Sequence, residues 1–118
     1  MKRVLFYILI IFALINVSGC QKSMDEPAGD LVVNARDGAG ASLIGFTVYL
    51  YYSEADFNNN LYSETLVTDN SGQVRFESLY PADYYVDCDF ENMAGETVII
   101  SGLGSVYDGI ETTITIRP

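Results

Sequence analysis

Apolar and polar residues alternate in short runs from Asp30 to the C-terminus, and turn residues separate the runs. Alternation with a period of two residues is typical of β-strands that bury one face, whereas an amphipathic helix has a period near 3.6 residues. The pattern therefore predicts an all-β domain over residues 30–118. The clearest run is residues 84–91, where core-facing apolar side chains alternate with Tyr85, Asp87, Asp89 and Glu91.

The number and spacing of the runs predict the architecture of this domain. Seven short strands in one open sheet would leave an apolar face in water, so the runs predict a seven-stranded antiparallel β-sandwich. Turn-forming residues further predict a hairpin between residues 65 and 77, a polar loop at 54–60 and a Gly-rich loop at 102–109. The second strand is predicted to face inward with Phe46, Val48, Leu50 and Tyr52.

Residues 68–86 carry a recognisable order of structural residues: a Thr-Asp pair, a Gly turn, Phe76, Leu79, Pro81 and a Tyr-x-Val strand. This order resembles the prealbumin-like sandwich modules, which include the carboxypeptidase regulatory-like and Cna protein B-type domains. Ala82 and Asp83 stand where these modules have the Gly of a Pro-Gly turn. The resemblance covers roughly residues 30–118 and implies a prealbumin-like fold and a non-catalytic role.

The N-terminal segment has the pattern of a signal peptide. Lys2 and Arg3 precede an unbroken apolar run over residues 4–15. As a helix this run would reach about 18 Å, short of the roughly 30 Å hydrocarbon core of a bilayer. The segment is therefore predicted to be a cleaved helical signal peptide over residues 1–19.

The end of this segment, Val17-Ser18-Gly19-Cys20, resembles the lipobox of bacterial lipoproteins. The resemblance implies diacylglycerol on the Cys20 sulfur and cleavage before Cys20. Polar residues 20–29 are predicted to form a flexible tether. We therefore expect a protein held in the cell envelope by its lipid, at the outer membrane, facing the periplasm or the cell surface. The alternative is an ordinary secretory signal followed by an unmodified cysteine.

The charge of the chain excludes several functions. There are 16 acidic residues, 6 basic residues and no His, for a net charge of −10. Such a surface repels the phosphate backbone of nucleic acids, and the absence of His removes the commonest general base. We therefore expect no nucleic-acid partner, no cofactor and no catalytic site. Once Cys20 is lipidated, Cys88 has no disulfide partner and is predicted to be a buried core residue.

Three outward tyrosines are the candidate binding residues. Tyr49 and Tyr51 alternate outward on the second strand, and Tyr85 does so on the fifth. The prealbumin-like resemblance makes these strands neighbours in one sheet, which would bring the three rings together for a sugar or a protein partner. The alternative role of the rings is cross-strand stabilisation of the sheet.

Two further groups of residues resemble chemical sites without meeting their requirements. Asp56, Asn58 and Asn60 have the spacing of the first calcium ligands of an EF-hand, but Leu61 and Val67 stand where Gly and Glu are required, so no metal site is predicted. Asp87, Asp89 and Glu91 are predicted to lie on a solvated strand face with nothing to raise a carboxyl pKa.

These observations favour a lipid-anchored, non-catalytic β-sandwich module for binding or structural support. A first alternative is a subunit of a fimbrial or adhesive assembly, in which an exposed sheet edge accepts a strand. A second is an accessory to a carboxylate-dependent glycan hydrolase, which would need two acids converging in a cleft.

Overall fold

Residues 26–118 are described by the computed structural model, and they form seven β-strands and one short helix. The predicted signal peptide, Cys20 and the first part of the tether lie outside these residues. The elements are β1 (Gly29–Ala35), β2 (Thr47–Tyr51), α1 (Glu54–Asn58), β3 (Glu64–Val67), β4 (Gln73–Leu79), β5 (Asp83–Glu91), β6 (Thr97–Ser105) and β7 (Glu111–Ile116).

The strands form two sheets, which confirms the prediction of an all-β sandwich with seven strands. One sheet has the order β4-β1-β7, and the other has the order β3-β2-β5-β6. The prediction that all strands are antiparallel is wrong at one pair, because β7 runs parallel to β1 with Val33 beside Ile114. The chain leaves β6 in the four-stranded sheet and crosses to the other sheet, where it enters alongside β1 in the same direction.

The core lies between the sheets and is built from the inward residues of both. Phe76 on β4 is buried, and so are the four residues of β5 that alternation predicts to face inward, Tyr84, Val86, Cys88 and Phe90. Tyr52 is an exception to the predicted second strand: β2 ends at Tyr51, and Tyr52 is exposed. The fully buried side chains with the largest volumes are Phe76, Leu31, Leu50, Ile100 and Ile116.

The predicted hairpin between residues 65 and 77 is wrong. Its turn is present, since the amide of Gly72 donates to the carbonyl of Asp69 at 2.9 Å, but β3 and β4 belong to different sheets. Buried Thr68 explains the separation: its hydroxyl accepts from the amide of Phe46 at 2.9 Å, which holds the end of β3 on the β2 side. Gln73 pairs instead with Asn34 of β1.

The predicted Gly-rich loop is also wrong in part, because Gly102 and Gly104 lie within β6. A Cβ atom at Gly104 would lie 2.6 Å from Cδ1 of buried Leu31, and one at Gly102 would lie 2.7 Å from Cγ2 of Ile116. The two glycines therefore let β6 lie close to side chains of the opposite sheet, which explains why glycine occurs inside this strand.

Gly29, at the start of β1, is packed just as closely, and mutation tests this contact. A Cβ atom at Gly29 would lie 2.8 Å from the carbonyl oxygen of Ile110 and closer still to that of Tyr107. Because backbone atoms cannot move aside as a side-chain end can, Gly29→Ala should destabilise the domain by about 1–3 kcal/mol in urea denaturation. Gly38→Ala is the matched control, since no atom lies within 4 Å of its added Cβ. Equal urea midpoints for the two variants would contradict the close packing of Gly29 against the backbone.

Candidate recognition site on the four-stranded sheet

The three predicted tyrosines lie on one face of the four-stranded sheet. β2 and β5 pair antiparallel, with Tyr49 opposite Asp87 and Tyr51 opposite Tyr85. Neighbouring residues of each strand face the core, so these side chains point to the outer face of the sheet. The structure therefore brings Tyr49, Tyr51 and Tyr85 together, although their exposure differs. Tyr49 and Tyr85 are half-buried, whereas Tyr51, which was expected to be exposed, is only 3% exposed.

Tyr51 is covered by the short helix α1, which occupies most of the segment predicted to be a loop. The side chain of Ser53 caps the helix by accepting from the amide of Asp56 at 3.1 Å. This cap places Phe57 against the sheet, with its ring centroid 5.2 Å from that of Tyr51 and 5.4 Å from that of Tyr85. A Ser followed three residues later by an acid, beside a lone Phe in a polar segment, is a sequence signal for this arrangement.

Tyr62 is a second aromatic residue that the strand pattern did not single out. It lies between α1 and β3, is exposed, and packs edge to face on Tyr49 with ring centroids 5.0 Å apart. Strands β2, β5 and β6 and the segment between α1 and β3 border a cleft of about 240 Å³ on the outer face of the sheet. We call it the tyrosine cleft, and its lining residues are Tyr49, Tyr51, Asn60, Tyr62, Asp87, Asp89 and Ile99.

Asp87 is the polar centre of the tyrosine cleft. The hydroxyl of Tyr51 donates to this carboxyl group, with Oδ1 at 3.1 Å and Oδ2 at 3.3 Å. Burial raises the pKa of Tyr51 to about 12, and the charge of Asp87 acts in the same direction. Burial also raises the pKa of Asp87, repulsion from Asp89 adds to this effect, and the hydrogen bond from Tyr51 opposes it. The expectation that nothing on this strand face raises a carboxyl pKa is therefore wrong at Asp87.

Asn60 and Asp89 also line the tyrosine cleft, whereas the other residues considered from the sequence fall outside it. Cys88 is fully buried in the core, and burial together with Asp89 and Asp87 raises the pKa of its thiol to about 11. Asp56 and Asn58 belong to α1. Within residues 26–118, no cluster of three or more acidic or cysteine side chains is arranged to hold a metal ion. The same part of the chain contains no helix with the length and apolar character needed to cross a bilayer.

No protein-family model and no curated protein sequence matches the chain. Solved structures do resemble it. A Pseudomonas aeruginosa protein provisionally described as a carbohydrate-binding protein has a TM-score of 0.53 and 14% identity, over 89% of this chain and 99% of that one. The Bacillus anthracis TIE protein has a TM-score of 0.51 and 16% identity, over 78% of this chain and only 16% of that one.

A further structural neighbour is BcpA, the major pilin subunit of Bacillus cereus. It has a TM-score of 0.47 and 15% identity, over 77% of this chain and 30% of the pilin. The chain thus spans a small part of the two Bacillus proteins and nearly all of the Pseudomonas protein. At these identities, the likeness to the two neighbours with TM-scores above 0.5 shows a shared β-sandwich fold alone.

The raised pKa of Asp87 predicts a stability that depends on pH. A carboxyl group whose pKa is higher in the folded state opposes folding increasingly as the pH rises from its unfolded-chain pKa to its folded-state pKa, and fully above both. Asp87→Asn should therefore be more stable than the wild type at neutral pH. The difference should shrink as the pH falls through the raised pKa and vanish below the unfolded-chain value of about 4.

Thermal or urea unfolding across this pH range measures the difference directly. Glu77→Gln is the matched control, because it makes the same acid-to-amide change at an exposed residue of β4. Every other carboxyl group is common to the wild type and the variant and drops out of the comparison. A wild type that is more stable than Asp87→Asn at neutral pH would contradict the assignment.

Proposed function

We propose that this protein is a non-catalytic carbohydrate-binding module, held at a membrane of the cell envelope by lipid on Cys20. The tyrosine cleft carries the proposal. It combines the partly exposed rings of Tyr49 and Tyr62 with the carboxylates of Asp87 and Asp89. Sugars have apolar C–H faces that stack on aromatic rings and hydroxyl groups that donate to carboxylates, so the cleft matches both parts of such a ligand.

Two comparisons support this proposal. The Pseudomonas neighbour, which this chain matches over nearly the whole of that protein, is itself provisionally described as carbohydrate-binding. The Phe76 to Val86 order resembles the prealbumin-like modules, and Phe76, Leu79, Tyr84 and Val86 are all buried in the core. The prealbumin-like fold is a more specific class of β-sandwich, and modules of this class are generally non-catalytic.

The arrangement of the acids favours binding over hydrolysis. Asp87 and Asp89 both line the tyrosine cleft. However, they project side by side from one strand, β5, whereas the two carboxyl groups of a glycosidase flank the scissile bond from opposite sides. The described acids of the cleft therefore fit a role as hydrogen-bond acceptors for a bound ligand.

A second candidate function is a subunit of an adhesive assembly, and the free edge of β3 favours it. β3 is the outer strand of its sheet, and on it Leu66 and Val67 are 38% and 61% exposed. An exposed apolar edge can accept a strand from another chain. β3 has only four residues, however, which limits the number of backbone hydrogen bonds that such a strand would gain.

The proposed anchor fits the geometry at the start of the domain. β1 begins at Gly29, so residues 20–28 would connect the lipidated cysteine to the sandwich. Nine extended residues span roughly 30 Å at most, so the domain would stay close to the membrane surface. Two acyl chains hold a protein stably, at about 0.8 kcal/mol for each buried methylene.

The binding proposal is tested by replacing the accessible rings. Tyr49→Ala with Tyr62→Ala should weaken binding of the best ligand on a glycan array by about 2 kcal/mol or more, the scale of aromatic hot spots. Tyr107→Ala is the matched control, because Tyr107 is an exposed tyrosine outside the cleft. Circular dichroism checks that both variants fold.

Two results would contradict the proposal. One is a double variant that folds and binds the glycan as tightly as the wild type. The other is a bound oligosaccharide that mass spectrometry finds shortened after incubation with the wild-type protein, which would indicate catalysis.

The anchoring proposal is tested at Cys20. Cys20→Ser should stop incorporation of a labelled fatty acid and move the protein from the membrane fraction to the soluble fraction. Cys88→Ser, at the buried cysteine, is the control and should keep the label on whatever protein folds. A wild type that takes up no label would rule out lipidation.

A further inference from the structure

Charge is distributed unequally between the two sheets. The segments that form the four-stranded sheet and its connections, residues 47–67 and 83–105, contain no Lys or Arg. All three basic residues of the described chain lie on or next to strands of the other sheet, at Arg36, Arg75 and Arg117. The acidic residues of the four-stranded sheet and its connections are Glu54, Asp56, Glu64, Asp83, Asp87, Asp89, Glu91 and Glu96.

Two of these three basic residues are bonded to neighbours on their own side of the sandwich. Arg75 forms ion pairs with Asp30 at 3.0 Å and Glu111 at 2.8 Å. Arg36 donates to the hydroxyl of Ser42. Within residues 26–118, the only ion pairs are those of Arg75, so no described cation neutralises the acids of the tyrosine cleft.

The tyrosine cleft therefore combines two features that attract a positive charge. Each carboxylate can accept about four hydrogen bonds, and the only described side-chain donor to Asp87 is the hydroxyl of Tyr51. The faces of aromatic rings carry negative electrostatic potential and attract a cation within about 6 Å. The rings of Tyr49 and Tyr62 border the same space as Asp87 and Asp89.

We infer that the sugar bound in the tyrosine cleft carries a free, protonated amine, with its ammonium group between Asp87 and Asp89 and its ring against Tyr49 and Tyr62. This inference rests on the proposed function and names its ligand class as an amino sugar. A neutral sugar would take water away from these carboxylates without compensating their charge. A sugar acid would be repelled by them, and by the uniformly acidic sheet around them.

The test compares two ligands that differ in this one group. Oligomers of glucosamine and of N-acetylglucosamine, matched in length, are titrated calorimetrically into the full-length protein in detergent. The pH is set low enough to protonate free amines and above the raised pKa of Asp87, so that both partners are charged. The glucosamine oligomer should bind at least about tenfold more tightly, because a hydrogen bond between charged partners is worth more than one between neutral groups. Added salt should reduce this preference.

Charge-neutralising variants locate the interaction. Asp87→Asn with Asp89→Asn keeps the shape of the cleft and should remove the preference for glucosamine, whereas Glu77→Gln, on the other sheet, should keep it. Preference for N-acetylglucosamine, or equal binding, would overturn the inference and leave the proposed carbohydrate binding intact. Binding of neither ligand class, together with an array that finds no glycan, would overturn both.

Two other results would overturn the inference in a different way. Glucosamine binding that survives in the double asparagine variant would place the ligand elsewhere on the protein. An oligolysine of equal charge that binds as tightly as the glucosamine oligomer would show recognition of charge without a sugar ring.

Discussion

The pairing of β2 with β5 is the interaction on which both the core and the candidate site depend. Its register sets Leu50 beside Val86 on the inner face, where both are fully buried. The same register sets Tyr49 beside Asp87 on the outer face. Because side chains alternate with a period of two, a slip of one residue would expose the core and bury the carboxylates. Burial of the inner face therefore fixes the geometry of the outer one.

The outer face has its own packed aromatic layer, and beside it lies Asp87, whose charge reduces the stability of the fold. Phe57 packs on Tyr51 and Tyr85, which removes apolar surface from water and anchors α1 to the sheet. On the same face, burial raises the pKa of Asp87, so that its ionised form opposes folding at neutral pH. In return, Asp87 accepts the hydrogen bond of the buried Tyr51 hydroxyl. A neutral acceptor could fill this structural role, so the charge of Asp87 fits the binding role proposed for it.

Regular alternation explains what the sequence could predict. The inward residues of β5 and the common face of Tyr49, Tyr51 and Tyr85 follow from a period of two, together with the family resemblance that makes β2 and β5 neighbours. Alternation says nothing about segments between strands, which is why Phe57 and Tyr62 were missed. It also does not tell whether two strands joined by a tight turn stay in one sheet.

Whether two strands joined by a tight turn stay in one sheet depends on contacts between residues that are distant in sequence. Thr68 holds the end of β3 near Phe46, while Gln73 joins β1, so the turn at Asp69 connects two layers of the sandwich. The direction of β7 is likewise set by its crossing from β6 to the other sheet, and no local pattern records it. The raised pKa of Asp87 arises from the same kind of distant packing.

The unequal charge of the sheets bears on how a tethered domain would be oriented. The surface of a membrane rich in anionic lipids repels acidic side chains within about one Debye length, roughly 8 Å at physiological salt. The tether proposed here is longer than this distance, so the repulsion acts only when the domain approaches the lipid. At that point the sheet carrying Arg36, Arg75 and Arg117 is the less repelled of the two. On the proposed anchoring, contact with the membrane would thus turn the tyrosine cleft away from the lipid, toward ligands in solution.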